Sequence, residues 1–377
     1  MPQGWAARIG GSLLAGLVAL AVGQGGAAAN QPLPPATVRA LDRAVDEQVR
    51  ALGLPGVVVD IRIPGRGDYV AVRGEADRRT GRPRRLADPF RIASITKTFV
   101  ATAVLQLVEA GRLKKSDRLA KWYPWFPNAQ LITVDDLLRM RSGIADPFDQ
   151  AFLRFYFDHR FVDFDAEAAI RAAARLADRF VPPGRRTVYT NVNYSLLERI
   201  VEKVTGRSLG AQIERTVLAP LGLRHTLYPS GVELPGPLHG YSFLPDTGSF
   251  RDVTRLNPTV AGGAGAMIST VADLRTYVRA ICTPGLLRPA TQRARLRGQP
   301  VDGSPDFVRY GEGIVRIGPF CGHDGTIFGF SSEAYYLPER DATIVVNVNR
   351  LDEDDVSKSS SLFLTLAKIL FPRLVEW

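Results

Sequence analysis

The residue types that most often bind metals or carry redox chemistry are scarce in this sequence. Its 377 residues include two cysteines, three methionines and four scattered histidines. No Cys/His spacing typical of zinc ligation occurs, and there is no His-Glu-x-x-His motif. A Gly-x-Ser-x-Gly elbow, which would indicate an α/β-hydrolase, is also missing. These absences disfavour a zinc enzyme and an α/β-hydrolase.

Long apolar runs are few as well. Residues 1–29 carry one charge, Arg8, followed by an apolar stretch from Ser12 to Val22 and by three alanines before Asn30. The stretch is shorter than the ~20 residues of a membrane-spanning helix, and its small-residue end fits signal-peptide cleavage. We therefore expect a signal peptide over residues 1–29 and export to the extracellular space, the periplasm or the cell envelope. An uncleaved membrane anchor is the alternative.

Acidic residues are outnumbered by basic ones. The chain has 48 Lys and Arg against 38 Asp and Glu, a formal net charge of +10. Its arginine clusters, at residues 78–79 and 82–85, are interrupted by Pro and Gly and lack interleaved aromatics, which disfavours a nucleic-acid partner. A generally basic surface is the simplest interpretation. Weak, salt-sensitive attraction to anionic envelope polymers or lipid headgroups stays open, and the sequence does not predict an oligomeric state.

The two cysteines are Cys282 and Cys321. In an exported protein they would be able to pair, and closing a loop of about 40 residues would contribute about 4 kcal/mol in the chain-entropy description. Two buried free thiols are the alternative. We expect the disulfide.

Strand patterns occur near both ends of the chain, with helical patterns between them. Residues 35–52 have the apolar spacing of an amphipathic helix, and two strands around a turn follow at 57–63 and 69–74. The middle is punctuated by Pro and Gly, with helices expected at residues 133–140, 165–180, 193–205, 209–217 and 270–281. After Pro300 we expect strands and a closing amphipathic helix, at residues 307–317, 320–323, 331–337, 342–349 and 359–371.

This order predicts an α+β fold. One antiparallel sheet would be assembled from both termini and flanked by the N- and C-terminal helices, with a mostly helical lobe inserted between its halves. The domain would cover residues 30–377, with an α/β lobe of about 30–113 plus 300–377 and a helical lobe of about 114–299. The cleft between two such lobes is the expected place for a site.

A Ser-x-x-Lys sequence marks the start of the most apolar helical pattern. Pro89 discourages helix before it, Ser94 suits a helix start, and a helical apolar period runs on to Gly111. Lys97 lies on the same helix face as Ser94, with the two Cβ atoms about 5–6 Å apart. If burial lowers the pKa of the amine, it can take the hydroxyl proton and activate a nucleophile. The alternative is a chance match in which Ser94 only caps the helix.

Two later segments carry groups that such chemistry uses. Tyr189 and Asn191 alternate in a short non-helical segment, where a phenol can transfer a proton and an amide can hold a substrate carbonyl. His323 stands between Gly322 and Asp324-Gly325, and can assist proton transfer or anchor a polar group where Gly allows close approach. A packed tyrosine, a helix cap and a structural histidine are the alternatives.

Together these motifs resemble those of the penicillin-recognising serine hydrolases. Ser94-Ile95-Thr96-Lys97, Tyr189-Thr190-Asn191 and His323-Asp324-Gly325 come in the order used by the class C β-lactamase and D-Ala-D-Ala carboxypeptidase superfamily, which includes esterases and D-aminopeptidases. Residues 136–144 resemble the helix-to-loop segment of that superfamily, and residues 261–270 its Gly-rich approach to a late helix. The resemblance therefore spans nearly all of the mature chain.

The resemblance implies a role for each motif residue. Ser94 would be the acyl-accepting nucleophile and Lys97 its proton acceptor. Tyr189 would pass the proton to the leaving group, and His323 would occupy the place where many relatives have Lys. No metal or organic cofactor is implied.

It also implies how a substrate would be held. Asn191 would bind a substrate amide carbonyl, and Gly325 would allow the substrate to approach the strand. The backbone N–H groups of Ser94 and Thr326 would form the oxyanion hole, in which one donor is typically worth about 3 kcal/mol or more. The substrate would be a small molecule or peptide, namely a cell-wall peptide, a β-lactam or an ester.

One residue departs from the superfamily pattern. The middle of the third motif, often Thr, is Asp324 here. An ionised Asp324 facing the cleft would repel a substrate carboxylate, whereas strand alternation would allow it to face away. This departure disfavours D-Ala carboxylates and β-lactams relative to neutral esters and amides.

Three functions stay open from the sequence. An exported acyl-serine hydrolase of the D-Ala-D-Ala carboxypeptidase type leads, with an esterase of the same fold as a close second. A non-hydrolytic protein that binds wall peptides or β-lactams is the alternative of another class. The complete set of Ser, Lys, Tyr and His argues against a mere binder, which has no need of all four.

Overall fold

The computed structural model describes residues 32–375 except 149–151, 153–154, 157–158, 245–247 and 353–357. The expected signal peptide at residues 1–29 lies outside the described residues. Within the described ranges, no helix combines the length and the apolar character needed to cross a membrane.

A nine-stranded antiparallel sheet forms one part of the described fold, in the order β3-β2-β1-β13-β12-β11-β10-β9-β8. The strands from the two ends of the chain meet inside the sheet, where β1 pairs with β13. In order along the chain, the strands are β1 Gly56–Ile63, β2 Gly67–Asp77, β3 Arg82–Pro83, β4 Phe90–Arg91, β5 Tyr241–Leu244, β6 Ser249–Asp252, β7 Ile268–Ser269, β8 Gln299–Pro300, β9 Val308–Tyr310, β10 Val315–Ile317, β11 Phe320–Ile327, β12 Phe330–Leu337 and β13 Ala342–Val348. Strands β4 and β7, and strands β5 and β6, form two small separate ladders.

Helices cover both faces of the sheet. The helices are α1 Pro35–Ala51, α2 Thr96–Glu109, α3 Val134–Leu138, α4 Ala166–Ala174, α5 Val192–Thr205, α6 Leu209–Ile213, α7 Ala219–Leu221, α8 Gly262–Gly265, α9 Val271–Cys282, α10 Pro289–Arg295 and α11 Lys358–Leu370. Helix α11 touches the sheet at Glu333, and α9 touches it at Asp60. Because Glu333 pairs with Val346 and Asp60 pairs with Val345, the two helices lie on opposite faces. Residues of β13 are therefore buried on both faces, which explains its nearly continuous apolar sequence.

Helix α2 is buried on almost every side. All residues from Thr96 to Leu105 are buried, and its neighbours include α5, α6 and α8. A helix surrounded in this way is apolar all round rather than amphipathic. Its first turn, which carries Lys97, is thereby placed in the interior of the protein.

The α+β fold with a large antiparallel sheet and flanking helices confirms the expected fold class. Two expectations about single elements were wrong. The expected strand at 307–317 is a hairpin of β9 and β10, because the chain reverses at residues 311–313, where Gly313 has a φ of +63°. The expected short strand at 320–323 continues to Ile327 and so includes the whole third motif. The β5–β6 hairpin was not expected in the helical middle.

Cys282 and Cys321 form a disulfide, with their Cα atoms 6.1 Å apart. The bond joins the end of α9 to the start of β11. It therefore links one covering helix directly to the strand that carries the third motif.

Candidate active site

Ser94 lies in a tight turn between a short strand and the central helix. Strand β4 pairs with β7, and the N–H of Ile92 donates to the carbonyl oxygen of Met267 at 3.0 Å. The following residues, Ala93–Ile95, form a 3₁₀ turn before α2 begins at Thr96, so Ser94 precedes the helix instead of capping it. Ala93 has a φ of +46°, a conformation that costs energy for a residue with a side chain. This strained residue directly before Ser94 is typical of functional turns.

Lys97 is fully buried and its amine faces Ser94. The Nζ atom donates to Ser94 Oγ at 2.9 Å, to Asn191 Oδ1 at 2.8 Å and to the carbonyl oxygen of Ala264 at 2.7 Å. Burial lowers the pKa of Lys97 to about 7, although the negative charges of Asp146 and Asp324 oppose the shift. At neutral pH a large fraction of the amine is therefore unprotonated and able to accept the Ser94 proton.

Tyr189 approaches the same hydroxyl from a second direction. Its OH donates to Ser94 Oγ at 2.9 Å, and Lys97 Nζ lies 4.8 Å from the centre of its ring. Burial raises the pKa of Tyr189 well above 10, and the charge of Asp324 adds to the effect. The phenol is therefore protonated at neutral pH, so it acts as a donor that can relay a proton rather than as a phenolate base.

Asn191 is held by a partly buried carboxyl, Asp146, that the sequence interpretation missed. Its backbone N–H and its Nδ2 donate to Asp146 Oδ2 at 2.9 and 2.8 Å, while its Oδ1 accepts from Lys97. Burial raises the pKa of Asp146, and the hydrogen bonds from Asn191 counteract that shift only in part. Asp146 thus orients the amide that touches Lys97. In the sequence, only the position of Asp146, two residues after the segment 136–144, could have pointed to it.

His323 lies beside Tyr189. The two rings are 6.4 Å apart, and the imidazole is buried. Its Nδ1 lies 2.6 Å from the carbonyl oxygen of Asp324, and its Nε2 lies 3.5 Å from the OH of Tyr310. The structure therefore places His323 behind the phenol that contacts Ser94.

Gly325 allows strand β11 to touch the turn that carries Ser94. A Cβ added to Gly325 would lie 2.2 Å from the carbonyl oxygen of Ile92 and 3.2 Å from the backbone nitrogen of Ser94. Only glycine fits such an approach. Thr326, the next residue, lines the same cavity as Ser94 and Asn191. The backbone groups assigned to the oxyanion hole therefore come from two segments in direct contact.

Asp324 projects from the other face of β11. It pairs with Glu333 across the ladder, while His323 pairs with Ala334, so its side chain and that of His323 leave the strand on opposite faces. The side chain is 45% exposed, with Oδ1 3.4 Å from His323 Nδ1. Partial burial raises the pKa of Asp324, but the contacts with His323 and the positive charge of Lys97 together outweigh it, so the pKa lies below its usual range. Asp324 is therefore ionised and adds negative charge near Lys97 and Tyr189.

An apolar cavity of about 240 Å³ opens beside Ser94. The cavity has a polar and an aromatic part. Its polar lining consists of Ser94, Asn191, Ser242, Thr326 and Asp352, and its aromatic lining of Phe148, Phe152, Tyr156 and Phe328. The ring of Tyr156 stacks on Phe328 with centres 5.6 Å apart and faces Phe152 at 6.5 Å. The Tyr156 hydroxyl donates to the carbonyl oxygen of Asn257 at 2.6 Å, so its polar end is satisfied away from the cavity. This cavity suits a bulky, apolar group placed beside the Ser94 hydroxyl.

No group of three or more His, Cys, Asp or Glu side chains is arranged to hold a metal ion in the described part of the chain. The partly buried Ser94 hydroxyl lies within hydrogen-bond distance of an amine whose pKa is lowered and of a phenol, an arrangement able to activate a serine.

The chain is similar in sequence to a protein family and to several known proteins. The profile of the family described as "Beta-lactamase" matches residues 41–367. Esterase EstB from Burkholderia gladioli is 33% identical over 198 residues, which cover 49% of this chain and 50% of the esterase. Penicillin-binding protein 4 from Amycolatopsis lactamdurans is 27% identical over 313 residues, covering 76% of this chain and 78% of that protein.

A solved structure extends the likeness to most of the fold. The crystal structure of a D-stereospecific amidohydrolase from Streptomyces sp. superposes with a TM-score of 0.76 at 30% sequence identity. The superposition covers 89% of this chain and 98% of the amidohydrolase. With the family profile matched over most of its length, this chain belongs to the β-lactamase family of serine hydrolases.

Proposed function

We propose that this protein hydrolyses an ester or amide through an acyl-enzyme on Ser94. The observation that supports it most is that Ser94 Oγ lies 2.9 Å from both Lys97 Nζ and the Tyr189 OH. The unprotonated amine of Lys97 takes the hydroxyl proton as Oγ attacks the carbonyl carbon. The backbone N–H groups of Ser94 and Thr326 bind the oxyanion of the tetrahedral intermediate.

The second half of the reaction releases the two products. Tyr189 relays the proton from Lys97 to the leaving alcohol or amine, and the bond between that group and the carbonyl carbon breaks. A water molecule then attacks the Ser94 ester, the acid leaves, and Ser94 regains its proton. His323 behind Tyr189 supports the phenol and its proton transfer, as its position beside the ring suggests.

The substrate that the cavity favours has an uncharged, apolar acyl group. Aromatic side chains line the space next to Ser94, and burying an aromatic group there would contribute transition-state binding beyond area alone. Asp324 leaves β11 on the face opposite His323, so its carboxylate is not placed in the cleft to repel a substrate carboxylate, and the preference for a neutral substrate rests on the apolar lining of the cavity. We therefore place neutral esters and amides ahead of D-alanyl peptides with a free carboxylate.

A D-Ala-D-Ala carboxypeptidase-type activity is the second candidate. It is favoured by the likeness to a penicillin-binding protein over 78% of that protein's length. The name of the Streptomyces structure, a D-stereospecific amidohydrolase, also favours amide substrates. Under this candidate, Asn191 would turn its amide toward the substrate carbonyl when the substrate enters.

Action outside the cytoplasm is part of the proposal. The Cys282–Cys321 disulfide supports an oxidising compartment, in keeping with a signal peptide at residues 1–29. The substrate would then be met in the extracellular space, the periplasm or the cell envelope.

Intact-mass spectrometry after exposure to a fluorophosphonate and, separately, to a penicillin tests the nucleophile. We expect the fluorophosphonate to add one adduct on Ser94 that the Ser94→Ala variant lacks, with little or slow penicillin adduct. Labelling by both reagents would favour the carboxypeptidase candidate. Labelling by neither, with a correctly folded protein, would refute the acyl-enzyme and favour a non-hydrolytic binding protein.

A substrate pair tests the proposed specificity. We expect kcat/KM for a p-nitrophenyl phenylacetate to exceed that for p-nitrophenyl acetate by at least tenfold, because only the larger acyl group fills the aromatic cavity. Equal values, or D-alanine release from a D-Ala-D-Ala peptide at a higher kcat/KM, would contradict the preference for neutral apolar acyl groups.

A further inference from the structure

A buried carboxyl outside the motifs contacts the structure that holds Lys97. Glu198 lies in the second turn of α5, with its side chain buried. Its Oε2 accepts from the backbone N–H of Gly263 at 2.7 Å, and its Oε1 accepts from the Tyr228 OH at 3.1 Å. The sequence analysis did not single it out, and the proposed reaction uses no atom of it.

The partner of Glu198 is the short helix α8, Gly262–Gly265. Gly262 has a φ of +43°, and a Cβ added there would lie 2.6 Å from Glu198 Oε2. A Cβ on Gly263 would lie 2.9 Å from the carbonyl oxygen of Tyr194. The glycines thus allow this turn to rest directly on α5, with the Glu198 carboxyl at its first N–H groups.

The same short helix supplies one of the three acceptors of Lys97. The carbonyl oxygen of Ala264 accepts from Lys97 Nζ at 2.7 Å. Within the turn, Ala264 N donates to the carbonyl oxygen of Ala261 and Ala266 N to that of Gly262, whereas Gly263 N donates to Glu198. The first N–H groups of a helix have no acceptor within the helix, and leaving a buried one unpaired destabilises the structure. The backbone of the turn offers no acceptor for the N–H of Gly263, and Glu198 accepts that hydrogen bond. Glu198 therefore holds this end of the turn against α5.

We propose that Glu198 is a positioning residue that holds the Gly262–Gly265 turn on α5, and so keeps the Ala264 carbonyl against the amine of Lys97. Its effect on rate rests on the proposed function, because Lys97 matters only if Ser94 is acylated. Its effect on the turn does not depend on any activity.

A glutamine at position 198 imitates the protonated form of Glu198 and so gives a matched control variant. Burial raises the pKa of Glu198 to about 7, and the Gly263 hydrogen bond opposes the shift. Glu198→Gln reproduces the neutral form: its amide oxygen can accept from Gly263, and its amide nitrogen can donate to the Tyr228 oxygen. Glu198→Ala removes both contacts, whereas Tyr228→Phe removes only the contact that does not involve the turn.

The experiment measures Ser94 labelling by a fluorophosphonate, steady-state kinetics on a neutral ester, and amide exchange of the peptide that contains Gly262–Gly265 by mass spectrometry. For Glu198→Ala we expect labelling at least tenfold slower, kcat lowered with KM within twofold, and exchange of that peptide at least tenfold faster. Glu198→Gln and Tyr228→Phe should stay within threefold of the unmodified protein in all three. If Glu198→Ala does not fold, Glu198→Asp, whose shorter side chain draws the carboxylate away from Gly263, takes its place with the same expectation.

Two outcomes would overturn the inference. Labelling and exchange in Glu198→Ala within twofold of the unmodified protein would show that the turn holds Lys97 without Glu198. Loss in Glu198→Gln as large as in Glu198→Ala would assign the effect to charge instead of position. If the unmodified protein is not labelled at all, the proposed function fails, and the exchange comparison still decides whether Glu198 holds the turn.

Discussion

The two sides of Ser94 differ in their chemistry. On one side, which we name the proton-transfer side, Lys97, Tyr189 and Asn191 are joined by hydrogen bonds of 2.8–2.9 Å. On the other, the pocket side, Phe152, Tyr156 and Phe328 surround a cavity through ring contacts.

The difference predicts how each side responds to substitution. On the proton-transfer side, the polar atoms are buried or partly buried and each is the partner of another, so the loss of one leaves its neighbours unpaired and removes a step of the proposed reaction. On the pocket side, many small apolar contacts add up, so each loss is graded and changes the substrate preference more than the chemistry.

Replacing the amine of Lys97 should have the largest effect. Lys97→Met keeps most of the buried volume but removes the proton acceptor, and we expect Ser94 labelling by a fluorophosphonate to slow by about 10²–10⁴-fold. Thermal unfolding should show a folded protein, because the substitution also removes the cost of burying an amine. A labelling rate near that of the unmodified protein would contradict the assignment of Lys97 as the base.

Removing the hydroxyl of Tyr189 should have the next largest effect, and the size should depend on the leaving group. Tyr189→Phe keeps the ring edge against Tyr310 but removes the relay to the leaving group. We expect kcat/KM to fall by about 10²-fold for an anilide and much less for a p-nitrophenyl ester, whose leaving group needs no proton. Equal losses for both substrates would show that Tyr189 acts before the leaving group departs.

A pocket-side substitution should change preference instead of chemistry. Phe328→Ala removes the ring that stacks on Tyr156, and we expect the ratio of kcat/KM for phenylacetyl over acetyl esters to fall about tenfold. The acetyl ester itself should be hydrolysed within about twofold of the original rate. Parallel losses on both esters would mean that Phe328 supports the turn of Ser94 and not the acyl group.

The smallest expected effect is the shift that the charge of Asp324 causes in the pH profile of Ser94 labelling. Because Lys97 acts unprotonated with a pKa of about 7, the labelling rate should fall about tenfold for each pH unit below 6. The negative charge of Asp324 favours protonated Lys97, so Asp324→Asn should move this profile to lower pH by a fraction of a unit. The measurement is the labelling rate from pH 5 to 9; a profile displaced upward, or one without any inflection near 7, would contradict the role of Lys97.

The parts of the site that lie within one short segment could be predicted from the sequence. The spacing of Ser94 and Lys97 within one helical turn, and of Tyr189 and Asn191 within three residues, needs no knowledge of distant packing. Their partners in the structure come from far along the chain: Asn191 lies 94 residues from Lys97, and Ala264 lies 167 residues from it. Asp146 and Glu198 had no local pattern to mark them, because a carboxyl on a loop or helix is ordinarily solvated.

What the sequence alone determines differs from what the tertiary structure decides for a physical reason. Periodic apolar patterns, turn residues and the motif order are properties of neighbouring residues, so the sequence alone determined the fold class, the positions of the terminal helix and strands, and the set of candidate catalytic groups. Burial, by contrast, depends on which segments pack together. Only the tertiary structure decided that Lys97 is enclosed so that its pKa falls to about 7, that Asp324 and His323 leave the strand on opposite faces, and that aromatic rings from two distant segments enclose the space beside Ser94.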